Sequence, residues 1–193
     1  MASSPTRARR APGTPLEIRA LRDDDDRASF RSGDADLDRF LHQFAGQNQF
    51  RHHLGITYVA VEHRTILGFA TVAAAHVEID QLPLVARRTL PHYPLPVLRL
   101  ARLAVDQAGQ GQGLGLELLR FVLRLALQMA DQYGCVGVVV DAKPKAAAFY
   151  AKYGFIPVET VEGQSDARPA PAPMFLSIRA IQKARGAPSV RKG

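Results

Sequence analysis

The stretch that most constrains this chain is "LRLARLAVDQAGQGQGLGLELLRFVLRLALQMA", residues 98–130. A strand-like run enters a loop with glycine at 109, 111, 113 and 115, and an amphipathic helix, expected over 113–131, leaves it. In that helix Leu116, Leu119, Leu123, Ala126, Leu127 and Ala130 follow core spacing, while Glu117, Arg120, Arg124 and Gln128 fall on another face. A helix start projects backbone N–H groups and the positive end of the helix dipole, and glycines before it let a charged group reach the main chain. Such a turn is an anion cradle, although a glycine-rich helix start also serves as a plain tight turn. Two nucleotide loops are excluded: the loop lacks the lysine of Gly-x-x-x-x-Gly-Lys-Ser/Thr, and its alternating glycines do not fit Gly-x-Gly-x-x-Gly.

Around this unit the chain reads as strands followed by alternating helix and strand, an α/β class with a mixed sheet. "LEIRAL" is a first strand, and "GDADLDRFLHQFAGQ" an amphipathic helix through Leu37, Phe40, Leu41 and Phe44, with Ser32 or Asp34 as N-cap. "GITYVAVEH" and "TILGFATVAAAHVEI" form a hairpin, and a proline-bearing loop runs from Asp80 to Pro96. After the glycine loop and its helix come a buried strand "CVGVVVD", a helix "KPKAAAFYAKYG" and a strand "FIPVE". A loop from Gly163 to Pro173 and a closing strand "APMFLSIRA" complete the sheet. With 193 residues, one domain over 16–182 is expected, flanked by flexible basic tails at 1–15 and 183–193.

With 25 Lys+Arg against 18 Asp+Glu the net charge of +7 favours a polyanionic partner or a phosphate-rich cofactor, unless it serves solubility alone. The single Cys135 sits in an apolar run and reads as a buried, inert thiol. No apolar run reaches membrane-spanning length, since Arg120 and Arg124 interrupt the longest, and the N-terminus lacks the apolar core of a signal peptide; a cytoplasmic protein is expected. The "DDDD" run at 23–26 reads as a solvated turn, because four consecutive carboxylates cannot converge on one ion. The histidines show no ligand spacing, so no metal is expected.

Gln110-Gly111-Gln112-Gly113-Leu114-Gly115 resembles the Gln/Arg-x-x-Gly-x-Gly/Ala signature of the GNAT N-acetyltransferases, and the order of elements over most of residues 16–180 is similar to that family's. The resemblance implies the acyl-CoA N-acyltransferase fold, a central sheet of about seven strands flanked by helices, with the 110–115 loop on the pyrophosphate of acetyl-CoA. It also implies that "ARLAV" splays from "CVGVVV", leaving backbone groups around Leu103, Ala104 and Val105 for the pantetheine arm; ordinary buried strand fits those residues equally. Tyr150 matches the family's tyrosine near the CoA sulfur, a general acid for the departing thiolate, with Tyr153 as competitor.

A base is harder to find. "VLRLARLAV" carries Arg99 and Arg102 where many relatives have a glutamate, leaving Glu78 or a water chain. A lysine amine, with a pKa of about 10.4, needs a base before it attacks, whereas an α-amine near about 8 is already partly neutral at pH 7. The missing base therefore suits an aminoacyl ester.

"FRSGDADLDRFLHQFAGQNQ", "GITYVAVE" and "LPHYPLPVLRLARLAVD" resemble the acetyltransferase toxins of type II toxin–antitoxin systems. That resemblance implies acetylation of the α-amine of aminoacyl-tRNA, a small DNA-binding antitoxin and a homodimer. Arg51, Arg87, Arg88, Arg99 and Arg102, with His52 and His53, are then candidate contacts to tRNA, each of them equally readable as a solvated surface residue. Arg99 and Arg102, at an odd separation on one strand, face opposite sides. Other readings are a GNAT enzyme acting on a small amine, peptide N-terminus or protein lysine, and a non-catalytic CoA- or nucleic-acid-binding module.

Overall fold

The computed structural model describes residues 16–82, 84–88, 90–158 and 172–186. Strand β1 (Glu17–Ala20) leads to helix α1 (Ala35–Arg39), which two π-helical turns follow at Phe40–Phe44 and Gln47–Arg51. Strands β2 (Ile56–Glu62) and β3 (Thr65–Val77), helix α2 (Leu84–Arg87), strand β4 (Leu95–Val105) and helix α3 (Leu114–Gln132) come next. Then follow β5 (Gly137–Ala142), α4 (Pro144–Lys152), β6 (Ile156–Pro157), β7 (Ala172–Ser177) and α5 (Ile178–Gly186). The described strands form the expected mixed sheet of seven, in the order β1-β2-β3-β4-β5-β7-β6, with β4–β5 parallel and β1–β2, β5–β7 and β6–β7 antiparallel. The β2–β3 hairpin turns through His63 and Arg64, at φ 48° and 70°. Two consecutive left-handed residues fit the right-handed twist of the strands they join.

The chain divides into two compact units, one from residues up to Thr71 with Arg102–Phe121, the other from Val72–Ala101 with the residues from Val122 on. In the first unit Leu21, Phe30, Phe40, Leu41, Val59, Ile66, Phe69 and Ala104 make a core, with Phe69 edge-on to Phe30 at 5.4 Å and stacked on Phe40 at 6.1 Å. Asp34, rather than Ser32, caps α1 and accepts from the amides of Asp36 and Leu37. Ser32 instead donates its amide and hydroxyl to Asp38 Oδ1, at 2.8 and 2.6 Å. Gln49 is a buried polar residue with both ends engaged: its Nε2 donates to Leu21 O and its Oε1 accepts from Thr57 N, each at 2.9 Å. In the aspartate run Asp25 is not solvated like its neighbours, since Arg19 donates to both of its carboxylate oxygens, at 2.8 and 2.6 Å. That hydrogen-bonded pairing holds the Asp25 carboxyl below its usual range.

In the second unit Val77, Ile79, Leu82, Leu95, Val97 and Phe175 form the core. The β4–β5 ladder joins Leu98 to Val138, Arg99 to Val139 and Leu100 to Val140. Cys135 is buried, its thiol pushed up by desolvation and donating to Gly137 O at 3.2 Å, as an inert thiol should be. The C-terminal expectation needs correcting. "APMFLSIRA" is not one strand: β7 ends at Ser177, whose Oγ accepts from Ala180 N at 3.2 Å and caps α5. Helix α5 buries Ile178 and Ile181, three residues apart, and runs to Gly186, so 183–186 is helix where a tail was expected. The segments 1–15, 159–171 and 187–193 lie outside the described residues.

Helix α3 buries Leu119, Ala126 and Leu127 as expected, together with Leu114, Leu118 and Val122, whereas Leu116, Leu123 and Ala130 of the expected face are only half-buried. With apolar residues at most positions from 114 to 127, two helical rows compete and spacing does not decide between them.

Candidate cofactor loop and catalytic tyrosine

The glycine loop belongs to the first unit, and polar groups at its entrance tie it to the segment before α1. Asp106 is the hub: Oδ2 accepts from Arg31 N at 2.8 Å and Oδ1 from Ala108 N at 2.9 Å. Gln107 N returns a bond to Arg31 O at 2.8 Å. The Gln110 amide donates to Ser32 O at 2.8 Å and to Val105 O at 3.0 Å, while Gln112 Nε2 donates to Ala108 O at 2.8 Å. Motif reasoning marked Gln110 and Gln112 for their position; the structure shows their side chains stitching the loop. Asp106, Arg31 and Ser32 were missed because a partner 75 residues away leaves no spacing signal.

The strand before the loop has its edges settled by alternation. Asp106 N donates to Leu67 O on the β3 side at 2.8 Å. One residue earlier, Val105 directs its carbonyl to the other edge, where Gln110 meets it, and Leu103 shares that edge. Ala104 is buried in the core cluster instead, so within 103–105 its side chain is packing.

Beyond Gln110 the backbone opens. Gly111 and Gly113 have φ of 73° and 83°. A side chain at Gly113 would meet nothing within 4 Å, so open space lies beside a left-handed backbone at the helix start. The first α3 amides satisfied within the helix are those of Leu116 and Glu117, both donating to Gly113 O. The amides before them, at Leu114 and Gly115, belong to the turn that an α-helix cannot satisfy internally. This arrangement fits a diphosphate: backbone donors, a dipole of the right sign, and room where a Cβ would stand.

Tyr150 belongs to the second unit and is placed by the way α4 ends. Gly154, at φ 88°, stands just past the helix; its amide donates to Ala151 O and the Phe155 amide to Tyr150 O. That pair of bonds is the Schellman arrangement, in which an apolar contact also spans the same two residues. Here it is Tyr150 against Phe155, ring centroids 5.4 Å apart, with Phe149 edge-on to Tyr150 at 5.2 Å. "FYAKYGF" is thus a helix stop that wraps one tyrosine in aromatic rings. Tyr150 is 5 % exposed, and desolvation pushes its phenol up to about 12. Such a phenol keeps its proton. Tyr153 is half-buried, edge-on to Phe149 at 5.2 Å, with Lys152 Nζ 5.7 Å from its ring centroid.

The candidate arginines divide between the units. In the first, Arg51 is exposed at the end of the second π-helical turn and Arg102 lies over the Phe40 ring, 3.8 Å from its centroid. In the second, Arg99 is ion-paired to Asp141 and Arg88 is exposed. Arg87 donates to the carbonyls of Leu82 and Asp80, clasping its own loop. Glu78, the carboxylate considered as a base, is exposed at the N-cap of the 3₁₀ turn Ile79–Gln81, where its amide donates to Gln81 Oε1 at 3.2 Å and its carbonyl accepts from Gln81 N at 3.0 Å.

A profile of the acetyltransferase (GNAT) domain matches residues 53–157, more than half of the chain. A tRNA-acetylating toxin of Mycobacterium tuberculosis is 36% identical over 138 residues, 71% of this chain and 82% of that protein. The solved structure of AtaT complexed with acetyl-methionyl-tRNAfMet superposes with a TM-score of 0.77 at 27% identity, covering 89% of this chain and 99% of that one. A tyrosine-to-phenylalanine mutant of AtaT bound to acetyl-CoA and the C-terminus of the antitoxin AtaR has a TM-score of 0.71 at 25% identity, covering 88% and 97%. With its glycine loop, its buried tyrosine and these relatives, the chain belongs to the GNAT family and is an acetyl-CoA-dependent N-acetyltransferase.

Proposed function

We propose that this enzyme acetylates the α-amine of aminoacyl-tRNA and thereby blocks translation, as the toxin of a pair with a small DNA-binding antitoxin. The observation that carries the reading is the 36% identity, over 82% of its length, to a tRNA-acetylating toxin. The chemistry of the chain agrees. Strand β4 offers no carboxylate and Asp141 is ion-paired, so an acceptor that arrives already neutral suits the enzyme best. An aminoacyl ester supplies such an amine, since even a free α-amine titrates near about 8.

In this reading the backbone of Gln110–Gly115 holds the CoA pyrophosphate, and the edge groups of Leu103 and Val105 take the pantetheine arm. Acetyl-CoA supplies the activated acyl thioester. Tyr150, buried and protonated, gives its proton to the leaving sulfur. Arg51, Arg87, Arg88, Arg99 and Arg102 are the cations offered to the acceptor stem; a phosphate reaching Arg99 must displace Asp141, and Arg87 must leave its own loop. The protein works as a homodimer in the cytoplasm; no described helix is long and apolar enough to cross a membrane.

Transfer of label from acetyl-CoA to bulk aminoacyl-tRNA, beside deacylated tRNA, polyamines and peptides, tests the proposal. Label on charged tRNA, lost in Tyr150→Phe, is expected. Label confined to polyamines or peptides sinks the toxin reading and leaves the acetyltransferase.

A further inference from the structure

The net charge of +7 is not spread over the chain. Residues 16–171 contain 17 Lys+Arg and 18 Asp+Glu, a balance of −1. Residues 1–15 carry Arg7, Arg9 and Arg10 without an acid, and residues 172–193 carry Arg179, Lys183, Arg185, Arg191 and Lys192, again without an acid. The whole excess therefore lies at the two ends, +3 and +5. Of these eight cations, three fall on described backbone, all of them on α5.

Helix α5 buries the isoleucines of its first turn and exposes the rest. Ile178 and Ile181 are buried, while Arg179, Gln182, Lys183 and Arg185 are exposed. Lys183 and Arg185 in the last turn also suit the negative end of the helix dipole. That does not account for the absence of any acid from 172 to 193. A helix selected for stability by charge would carry acids early and bases late. This one is basic throughout.

The topology puts the start of α5 away from Arg99. Ser177, the last residue of β7, pairs Gly137, whereas Pro173 pairs Asp141, the partner of Arg99. Four residues of strand separate those two pairs, roughly 13 Å along β5. A free amino acid or a small amine is too short to touch both ends; a nucleic acid backbone does so easily.

We infer that the last turn of α5, which exposes Lys183 and Arg185, is a second contact for the sugar-phosphate backbone of the tRNA, outside the arginine set of the proposed acceptor site. The inference rests on the aminoacyl-tRNA reading and deepens it. The contact supplies sequence-independent affinity, which resides in phosphates and disappears with salt. It does not touch the reacting amine, so its removal changes KM for charged tRNA and leaves kcat in place.

The test is steady-state acetyl transfer by the full chain and by the double variant Lys183→Gln/Arg185→Gln at 50, 100 and 200 mM KCl. Acceptors are bulk aminoacyl-tRNA and a single aminoacylated nucleotide that lacks the rest of the tRNA. Both substituted side chains are exposed and the buried isoleucines are kept, so the variant retains its fold. The expected result is a KM for charged tRNA raised roughly tenfold at low salt, with the slope of log KM against log salt reduced by about 2. The short acceptor should show no change. Equal tRNA KM values and salt slopes in both proteins overturn this inference while the substrate reading stands. Wild-type enzyme that labels neither aminoacyl acceptor overturns that reading, and this inference with it.

Discussion

The glycine loop and the Tyr150 cluster are built from opposite materials. The loop is polar and backbone-rich: Asp106, Gln107, Gln110 and Gln112 fix it by hydrogen bonds, and two left-handed glycines open it. The tyrosine is packed by Phe149 and Phe155, and its phenol is governed by the loss of water. A group that must receive a dianion needs donors and room; a group that must hold one proton through neutral pH needs dryness. The two regions should therefore fail in different kinetic parameters.

Tyr150→Phe should show the largest effect. It deletes the proton donor and keeps the ring that packs on Phe155, so kcat should fall by about 10² to 10⁴ while acetyl-CoA affinity is retained. Binding measured by calorimetry beside turnover decides the matter, and an unaltered kcat would assign the tyrosine to packing. Gly113→Ala should come next and move the other parameter. A side chain at φ 83° costs about 1–3 kcal/mol, and the methyl enters the space beside the helix start. KM for acetyl-CoA should rise by about 10- to 100-fold with kcat nearly kept; a kcat defect at unchanged KM would contradict the cradle.

Asp106→Ala should be milder. It removes the acceptor shared by Arg31 N and Ala108 N, loosening the loop entrance without touching the donors at the helix start. A hydrogen bond to a charged group contributes about 1.5–3 kcal/mol, part of which water restores at this half-exposed position. KM for acetyl-CoA should rise about tenfold, and Asp106→Asn, which keeps one acceptor oxygen, should recover part of the loss. Equal KM in all three proteins would separate the clasp from cofactor binding.

How much of this the sequence disclosed depends on the range of the interaction. The glycine loop, the hairpin at His63–Arg64 and the "FYAKYGF" helix stop are local, so a few adjacent residues announced them. The sheet of seven strands followed from the order of such segments. Of the expected face of α3 only Leu119, Ala126 and Leu127 are buried, because leucines occupy two competing rows. The start of α5 was missed although Ser177 with Ile178 and Ile181 carries a cap and a helical spacing; an apolar "MFLSI" reads more readily as continued strand. The Asp106 clasp and the Arg99–Asp141 pair join residues 75 and 42 apart, and no periodicity reports them.

The smallest expected effect is an absence, and it separates the dry region from the wet one by pH. A general acid must be protonated to act, so a tyrosine with an ordinary pKa of about 10 would bring a falling limb there. The Tyr150 phenol, pushed up to about 12, stays protonated through that range. kcat/KM should therefore rise as the acceptor ammonium loses its proton, near about pH 8 for an α-amine, and then stay level through pH 10. An amide-linked aminoacyl analogue avoids ester hydrolysis at the upper end. Stability follows the same titration with its own sign. Above pH 10 the unfolded chain releases the phenol proton while the folded protein keeps it, so the stabilisation, complete below that pH, declines toward pH 12. Circular dichroism recorded beside the rates distinguishes unfolding from titration. A falling limb near pH 10 in fully folded enzyme would mean that the proton donor is a solvated group and not Tyr150.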